Sequence, residues 1–225
     1  MKAQILDELV AARAAKRPVV LVTALADGSQ RLVAPGSDDP LASEVAAALR
    51  SDRSDTVEVD GNSFFLRPYN PPLRLVVVGA VHIAQPLSIL AKEAGYSVIV
   101  VDPRAAFAAQ ERFPGVTLVD EWPDDALQAL EIDVRTAIVT LTHDPKLDDP
   151  ALQVALRSEA FYVGALGSSR THKSRVGRLQ RSGLSEDAIA RIHGPVGLSI
   201  GARSPAEIAI SILAQMTQVL RTGAA

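Results

Sequence analysis

The chain has 225 residues, with 23 Lys or Arg against 26 Asp or Glu, a formal charge of -3 and no Cys. The missing cysteine excludes disulfides, thiolate-bound zinc, iron–sulfur clusters and a Cys nucleophile. The near-balanced charge and 4% aromatic content argue against nucleic-acid binding, while 48% apolar residues suffice for a buried core.

Residues 1–17 carry Ile5, Leu6, Leu9 and Ala12 at helical spacing, and Pro18 ends the run. With Asp7 and Glu8 and no apolar core or cleavage site, this start is not a signal peptide, so the cytoplasm is the expected compartment. Strand VVLVTAL (19–25), the Asp27-Gly28 turn and RLVA (31–34) form a hairpin. Asp38, Asp39 and Pro40 read as an acidic cap opening a helix over 40–50. TVEV (56–59) and SFFLR (63–67) form a second hairpin, and RPYNPP (67–72), with three prolines in six residues, reads as irregular. These features predict a small α+β domain over 1–67 and a linker over 68–72.

From residue 73 onward the pattern changes. LRLVVVG (73–79), YSVIVVD (96–102), VTLV (116–119), TAIVTLT (136–142) and FYVGAL (161–166) are apolar strands without alternation, as in a parallel sheet buried on both faces. A helical stretch ending at Ala94 before Gly95, and helices near 104–112, 123–130, 150–158, 170–182 and 205–221, separate or follow them. The last opens with Ser204 as cap, Pro205 at the first position and Glu207 at the third, a capping box. The fold class predicted for 73–225 is α/β, a Rossmann-like doubly wound parallel sheet. The longest uncharged run, Leu75–Ala91, is broken by Gly79, His82, Gln85 and Pro86 and is too short to span a membrane.

Three loops offer ligand contacts. VVVGAVHIAQPL (76–87) stands where a dinucleotide fold places G-x-G-x-x-G, but only Gly79 matches; Val81 and Ala84 replace the other glycines. The N–H groups and dipole at the following helix start can still attract phosphate. Asp102, 23 residues after Gly79, stands where an acid meets a ribose, or caps the next helix; Arg104 could offset its charge toward a phosphate. Thr142, His143 and Asp144 end the fourth strand of the sheet, at the crevice edge. His143 is an acid/base candidate, since imidazole titrates near pH 6.5. His143, Asp144 and Asp148 could meet a metal, but their spacing fits no zinc motif, and Asp144-Pro145 and Asp149-Pro150 read equally as a turn and a cap.

GALGSSRTHKSR (164–175) combines Gly164, Gly167 and Ser168 with a helix bearing Arg170, Lys173, Arg175, Arg178 and Arg181. Small residues before a basic helix suit an anion nest, with Gly167, Ser168 and Arg170 at its centre. His172 shares a face with Val176 and Leu179, a packing position. The glycine-rich loop HGPVGLSIGARSPAE (193–207) offers Arg203 to an anion.

VVVGAVHIAQPL, VVDPRAAFA, ERFP, LTHDP, YVGALGSSR and PVGLSIGARSPAEIAISILAQ, in this order over 73–221, resemble the XdhC/CoxI family of molybdenum hydroxylase accessory proteins. The resemblance implies a Rossmann-like domain after a smaller one. It also implies binding of molybdenum cofactor (molybdopterin) and help in inserting it into a xanthine dehydrogenase or CO dehydrogenase-type apo-enzyme. On it Gly79, His82, Asp102, Arg104, Thr142, His143, Asp144, Gly164, Gly167, Ser168 and Arg170 are expected to line the cofactor pocket, with no resident metal and no assigned catalytic residue. The family turn reads G-A-G-H where this chain has Gly79-Ala80-Val81-His82, and the family's first domain is fuller and carries a cysteine, so no thiolate of this protein can hold molybdenum or sulfur. Expected partners are the hydroxylase apo-enzyme, a fuller paralogue or cofactor-loading protein, and a second copy of the chain. Two alternatives remain open: an NAD(P)-dependent oxidoreductase with His143 as acid/base, and a non-catalytic assembly subunit with a vestigial pocket.

Overall fold

A computed structural model describes residues 2–104 and 110–223, and the chain divides into two compact units, Met1–Pro71 and Pro72–Ala225. The first contains α1 (Ala3–Ala14), β1 (Val19–Ala24), β2 (Gln30–Val33), α2 (Ala42–Ser51), β3 (Asp55–Val59) and β4 (Asn62–Tyr69). Its four strands form an antiparallel sheet in the order β2-β1-β4-β3. Val20, Val22 and Leu66 pack against Leu41, Val45 and Ala48 beside α2, and Val19 packs with Leu9 and Ala12 of α1.

Two expectations change here. The Asp39 carboxylate accepts the Leu41 N–H at 2.9 Å but is held by Arg31 Nε at 2.8 Å, and α2 starts at Ala42 with Leu41, which has no capping side chain, before it. The stretch 67–72 is not wholly irregular, because β4 runs through Pro68 and Tyr69 to pair with Val20 and Val19. Proline is tolerated there because β3 pairs only with residues 62–66, so one side of β4 is an open edge at Pro68.

The second unit contains β5 (Leu73–Val78), α3 (Ala84–Glu93), β6 (Tyr96–Val101), β7 (Thr117–Val119), α4 (Pro123–Ala129), β8 (Thr136–Thr140), α5 (Pro145–Arg157), β9 (Tyr162–Ala165), α6 (Ser169–Arg181), α7 (Glu186–Ala190), β10 (Ile192–His193) and α8 (Pro205–Thr222). The six strands are all parallel, in the order β10-β9-β8-β5-β6-β7. This is the Rossmann-like α/β fold, preceded by a smaller antiparallel α+β sheet. Successive strand residues serve opposite faces: Leu75 and Val77 meet Leu87 of α3 and Ile212 and Met216 of α8, whereas Val76 and Val78 meet Leu127 of α4, Leu152 of α5 and Leu179 of α6. Each fully buried Val or Leu contributes about 1.5–3 kcal/mol over exposure, so neither face can be left open.

Of the helix expected near 104–112, residues 105–109 lie outside the described residues, and 110–112 form one 3₁₀ turn. Helix α5 starts at Pro145, not at residue 150: Asp144 caps it by accepting the Lys146 N–H at 2.9 Å, and Pro150 lies inside the helix. Asp149 does not cap, because its carboxylate is bound by Arg178. The capping box of α8 forms as expected: Ser204 Oγ accepts the Glu207 N–H at 3.3 Å, and Glu207 Oε2 accepts the Ser204 N–H at 2.9 Å. Among the described residues no helix is long and apolar enough to cross a membrane.

Candidate functional site

Strand order reverses between β5 and β8, the first and fourth strands of the parallel sheet. In an open α/β sheet the loops leaving the carboxyl ends of such a pair splay apart and form the ligand crevice. Here those loops are 79–83 and 141–144. They touch at Gly79, whose φ is +108° and on which a Cβ would stand 2.6 Å from Thr142 Cγ2 and 3.2 Å from Thr142 N. Only glycine allows this turn and this approach together.

The turn is anchored on its other side by Asp102. Gly79 N–H donates to Val101 O at 2.8 Å, and Ala80 N–H donates to Asp102 Oδ2 at 2.8 Å. Arg104 donates to Asp102 Oδ1 from its backbone N–H at 3.0 Å and from Nε at 2.8 Å, and to Oδ2 from Nη2 at 2.8 Å. A carboxylate has about four lone-pair positions, and these four bonds use them. The side chain is fully buried, so Asp102 braces the turn and has nothing left for a ribose hydroxyl. Burial pushes its carboxyl up, but the Arg104 side chain and the two backbone N–H groups outweigh this and hold it below the ordinary value. The 79–83 loop runs into the start of α3, where Ile83 is the N-cap, the Ala84 N–H donates to Val81 O at 3.0 Å and Pro86 has no N–H, and the N–H groups of Val81, His82 and Ile83 lie before the helix's own bonding begins. The Val81 side chain packs partly buried against the core, whereas His82 is exposed.

On the facing loop Thr142 Oγ1 donates to Asp148 Oδ1 at 2.7 Å and accepts the Asp144 N–H at 3.0 Å. His143 is exposed and held at φ +62°, a left-handed conformation uncommon for a residue with a Cβ. Asp144 is committed to capping α5. Among the described residues no group of three or more His, Asp or Glu is placed to hold a metal ion.

The β9–α6 segment divides the remaining candidates. Gly164 is buried within β9, where a Cβ would stand 2.5 Å from Val196 Cγ2 and 2.8 Å from Tyr162 Cε1; its part is packing. Gly167, at φ +141°, forms the turn, and Ser168 caps α6 by accepting the Thr171 N–H at 3.2 Å. Arg170 is exposed, and Arg178 binds Asp149. His172 packs against Gly194 with Nδ1 buried, and burial together with the Arg175 charge lowers its pKa. The structure thus ties Asp102 and Arg104 to the Gly79-Ala80 turn by hydrogen bonds, ties Thr142 to Asp144 by another, brings the two groups into contact at Gly79 and Thr142, and leaves Gly164 apart within the sheet.

Two residues gain a place that the sequence does not reveal. Asp148 and Arg175 each retain only 2% side-chain exposure and face one another at 3.9 Å. Burial pushes the Asp148 carboxyl up against the pull of Thr142 and Arg175, and burial lowers the Arg175 guanidinium. The available signal is helical spacing: Arg175 lies four residues before Leu179 and three after His172, on the packed side of α6. An open concavity of about 300 Å³ lies away from the crevice, between α3 and residues 112–116, and is lined by Ser88, Ile89, Lys92 and Phe113 among others.

Residues 75–216 match the sequence profile of the XdhC Rossmann domain. The chain belongs to the XdhC family. The XdhC-type chain is 31% identical over 157 residues to a probable xanthine dehydrogenase component of Bacillus subtilis (strain 168), covering 69% of this chain and 46% of that protein. It is 33% identical over 151 residues to the molybdenum cofactor insertion chaperone PaoD of Escherichia coli (strain K12), covering 67% of this chain and 41% of PaoD. A crystal structure described as a xanthine dehydrogenase from Bacillus halodurans superposes with a TM-score of 0.70 at 26% identity, over 97% of this XdhC-family chain and 64% of the other. The chain therefore spans less than half the length of these two curated relatives.

Proposed function

We propose that this chain is an accessory factor that binds the phosphorylated pterin of molybdenum cofactor at the β5/β8 crevice and assists its insertion into the apo-form of a molybdenum hydroxylase. The observation that carries this is the Gly79–Thr142 contact at the strand-order reversal in a chain 33% identical to a molybdenum cofactor insertion chaperone. The N–H groups of Val81, His82 and Ile83 and the positive end of α3 would receive the phosphate. The exposed imidazoles of His82 and His143 lie on the two loops of that crevice and would orient the pterin. Transfer by this route needs no covalent step.

The saturated Asp102 carboxylate argues against a nicotinamide dinucleotide, whose adenosine ribose would need it as an acceptor. The test is native mass spectrometry of unheated protein, with calorimetry against NADH and an assay of apo-hydroxylase reconstitution with cofactor-loaded protein. A bound pterin, faster reconstitution and no micromolar NADH binding are expected. Co-purifying NAD(P), or an empty pocket with no effect on reconstitution, would overturn the proposal in favour of an oxidoreductase or a non-catalytic assembly subunit respectively.

A further inference from the structure

Beneath the crevice the loops after β5, β8 and β9 are joined by one chain of contacts. Gly79 abuts Thr142, and Thr142 donates to Asp148 Oδ1 from Oγ1 at 2.7 Å and from its N–H at 3.3 Å. Asp148 Oδ2 faces Arg175 Nη2 at 3.9 Å, and that same Nη2 donates to Leu166 O at 2.7 Å. Leu166 immediately precedes Gly167, and a Cβ on Gly167 would stand 3.7 Å from Arg175 Nη2.

This connection has a cost. Asp148 Oδ2, Arg175 Nε and Arg175 Nη1 are buried and lack a hydrogen-bond partner among the described residues. A buried charge pair so poorly satisfied is a weak source of stability, and an apolar pair of similar volume often does as well or better. The last backbone bonds of the sheet here run from the Leu141 N–H to Val78 O at 2.8 Å and from the Leu166 N–H to Thr140 O at 2.9 Å; the pair's geometry links the two segments just past them, residues 142–144 and 167–168.

We propose that Asp148 and Arg175 are positioning residues of the crevice: they fix the 142–144 loop against the 167–168 turn, and ligand affinity depends on them although neither side chain reaches the surface. The affinity half of this statement rests on the cofactor-binding role proposed above; the loop-fixing half does not.

The double variant Asp148→Asn/Arg175→Met separates positioning from plain stability. Asparagine keeps an acceptor for Thr142, no buried charge is left unpaired, and the bond to Leu166 O is gone. In the full chain this variant is expected to melt close to the wild type. By hydrogen-exchange mass spectrometry its segments 142–144 and 167–168 should exchange at least tenfold faster. Binding of molybdopterin released from a purified molybdenum hydroxylase, followed by pterin fluorescence after dialysis, should weaken at least tenfold. Wild-type exchange in both segments, or faster exchange with unchanged affinity, would overturn the proposal. Should the double variant not fold, Arg175→Lys keeps the charge, loses the planar fork and is held to the same readouts. If the wild type binds no cofactor, the proposed function fails, and the exchange rates alone decide whether the tie exists.

Discussion

Replacing Gly79 by alanine tests the closest approach in the crevice. Two costs add. At φ +108° a residue with a Cβ is strained, by roughly 1–3 kcal/mol. The new methyl would also stand 2.6 Å from Thr142 Cγ2 and 3.2 Å from Thr142 N, and overpacking of this kind costs about 1–3 kcal/mol. Thr142 cannot turn away cheaply: it is β-branched and its Oγ1 is bound to Asp148 at 2.7 Å. The sum is about 2–6 kcal/mol, a large part of the roughly 5–15 kcal/mol that holds a domain together. With a urea slope of about 2 kcal/mol/M, the unfolding midpoint should fall by about 1–3 M. The only tryptophan in the sequence, Trp122, lies in the second unit, so its fluorescence in a urea titration reports that unit. Gly95→Ala is the control, because Gly95 has φ +87° but nothing within 4 Å of a Cβ; strain alone should cost about 1–2 kcal/mol there. Equal midpoint shifts for the two variants would refute the crowding at Thr142.

Asp102 has its carboxyl held below the usual 3.8, so it stabilises the fold above that value and the contribution is lost as pH falls through its folded pKa. Arg104→Gln should lower stability at neutral pH and flatten the acid limb of a pH titration followed by Trp122 fluorescence; an unchanged limb would show that Arg104 does not set the Asp102 pKa. Ser204→Ala removes one half of the capping box and should cost about 1 kcal/mol in thermal melting, with faster exchange of the Glu207 amide, whereas Ser199→Ala, outside any helix, should change neither.

Strands buried on both faces read plainly from the chain, because β5, β6 and β8 carry the unbroken apolar runs 75–78, 98–101 and 137–139 with no polar alternation to confuse them. Helix α8 is equally legible, since Ser204, Pro205 and Glu207 form a purely local signal. The start of α5 is not, because two Asp-Pro pairs offer the same local chemistry. Arg178, 29 residues past Asp149, decides between them by taking its carboxylate. Helix α7 and strand β10 have five and two residues, too few for any period to show. At the crevice the glycine turn and the Thr142–Asp144 edge stand out by their place after strands. The Asp148–Arg175 pair does not: the spacing of Arg175 to Leu179 is the one hint of burial, and charged residues on a helix ordinarily face water. Asp102 shows itself by its spacing from Gly79, but its partners, and therefore its bracing part, come only with the fold.

The pairing of α3 with α8 has a consequence for how the protein is made. One face of the parallel sheet, with Leu75, Val77, Val100 and Val139, is roofed jointly by a helix made before five of the six strands and one made after all six. Gln215 of α8 also accepts the Tyr162 hydroxyl at 2.6 Å and the Gly197 N–H at 2.8 Å, so the same late helix holds the start of β9 and the loop after β10. During synthesis that face stays half uncovered while all six strands are already available to pair. At about 5–20 residues per second the interval is short, but it is when an exposed valine-rich surface is open to other chains. Until α8 has been made, Leu75, Val77, Val100 and Val139, all fully buried in the finished fold, lack part of their cover.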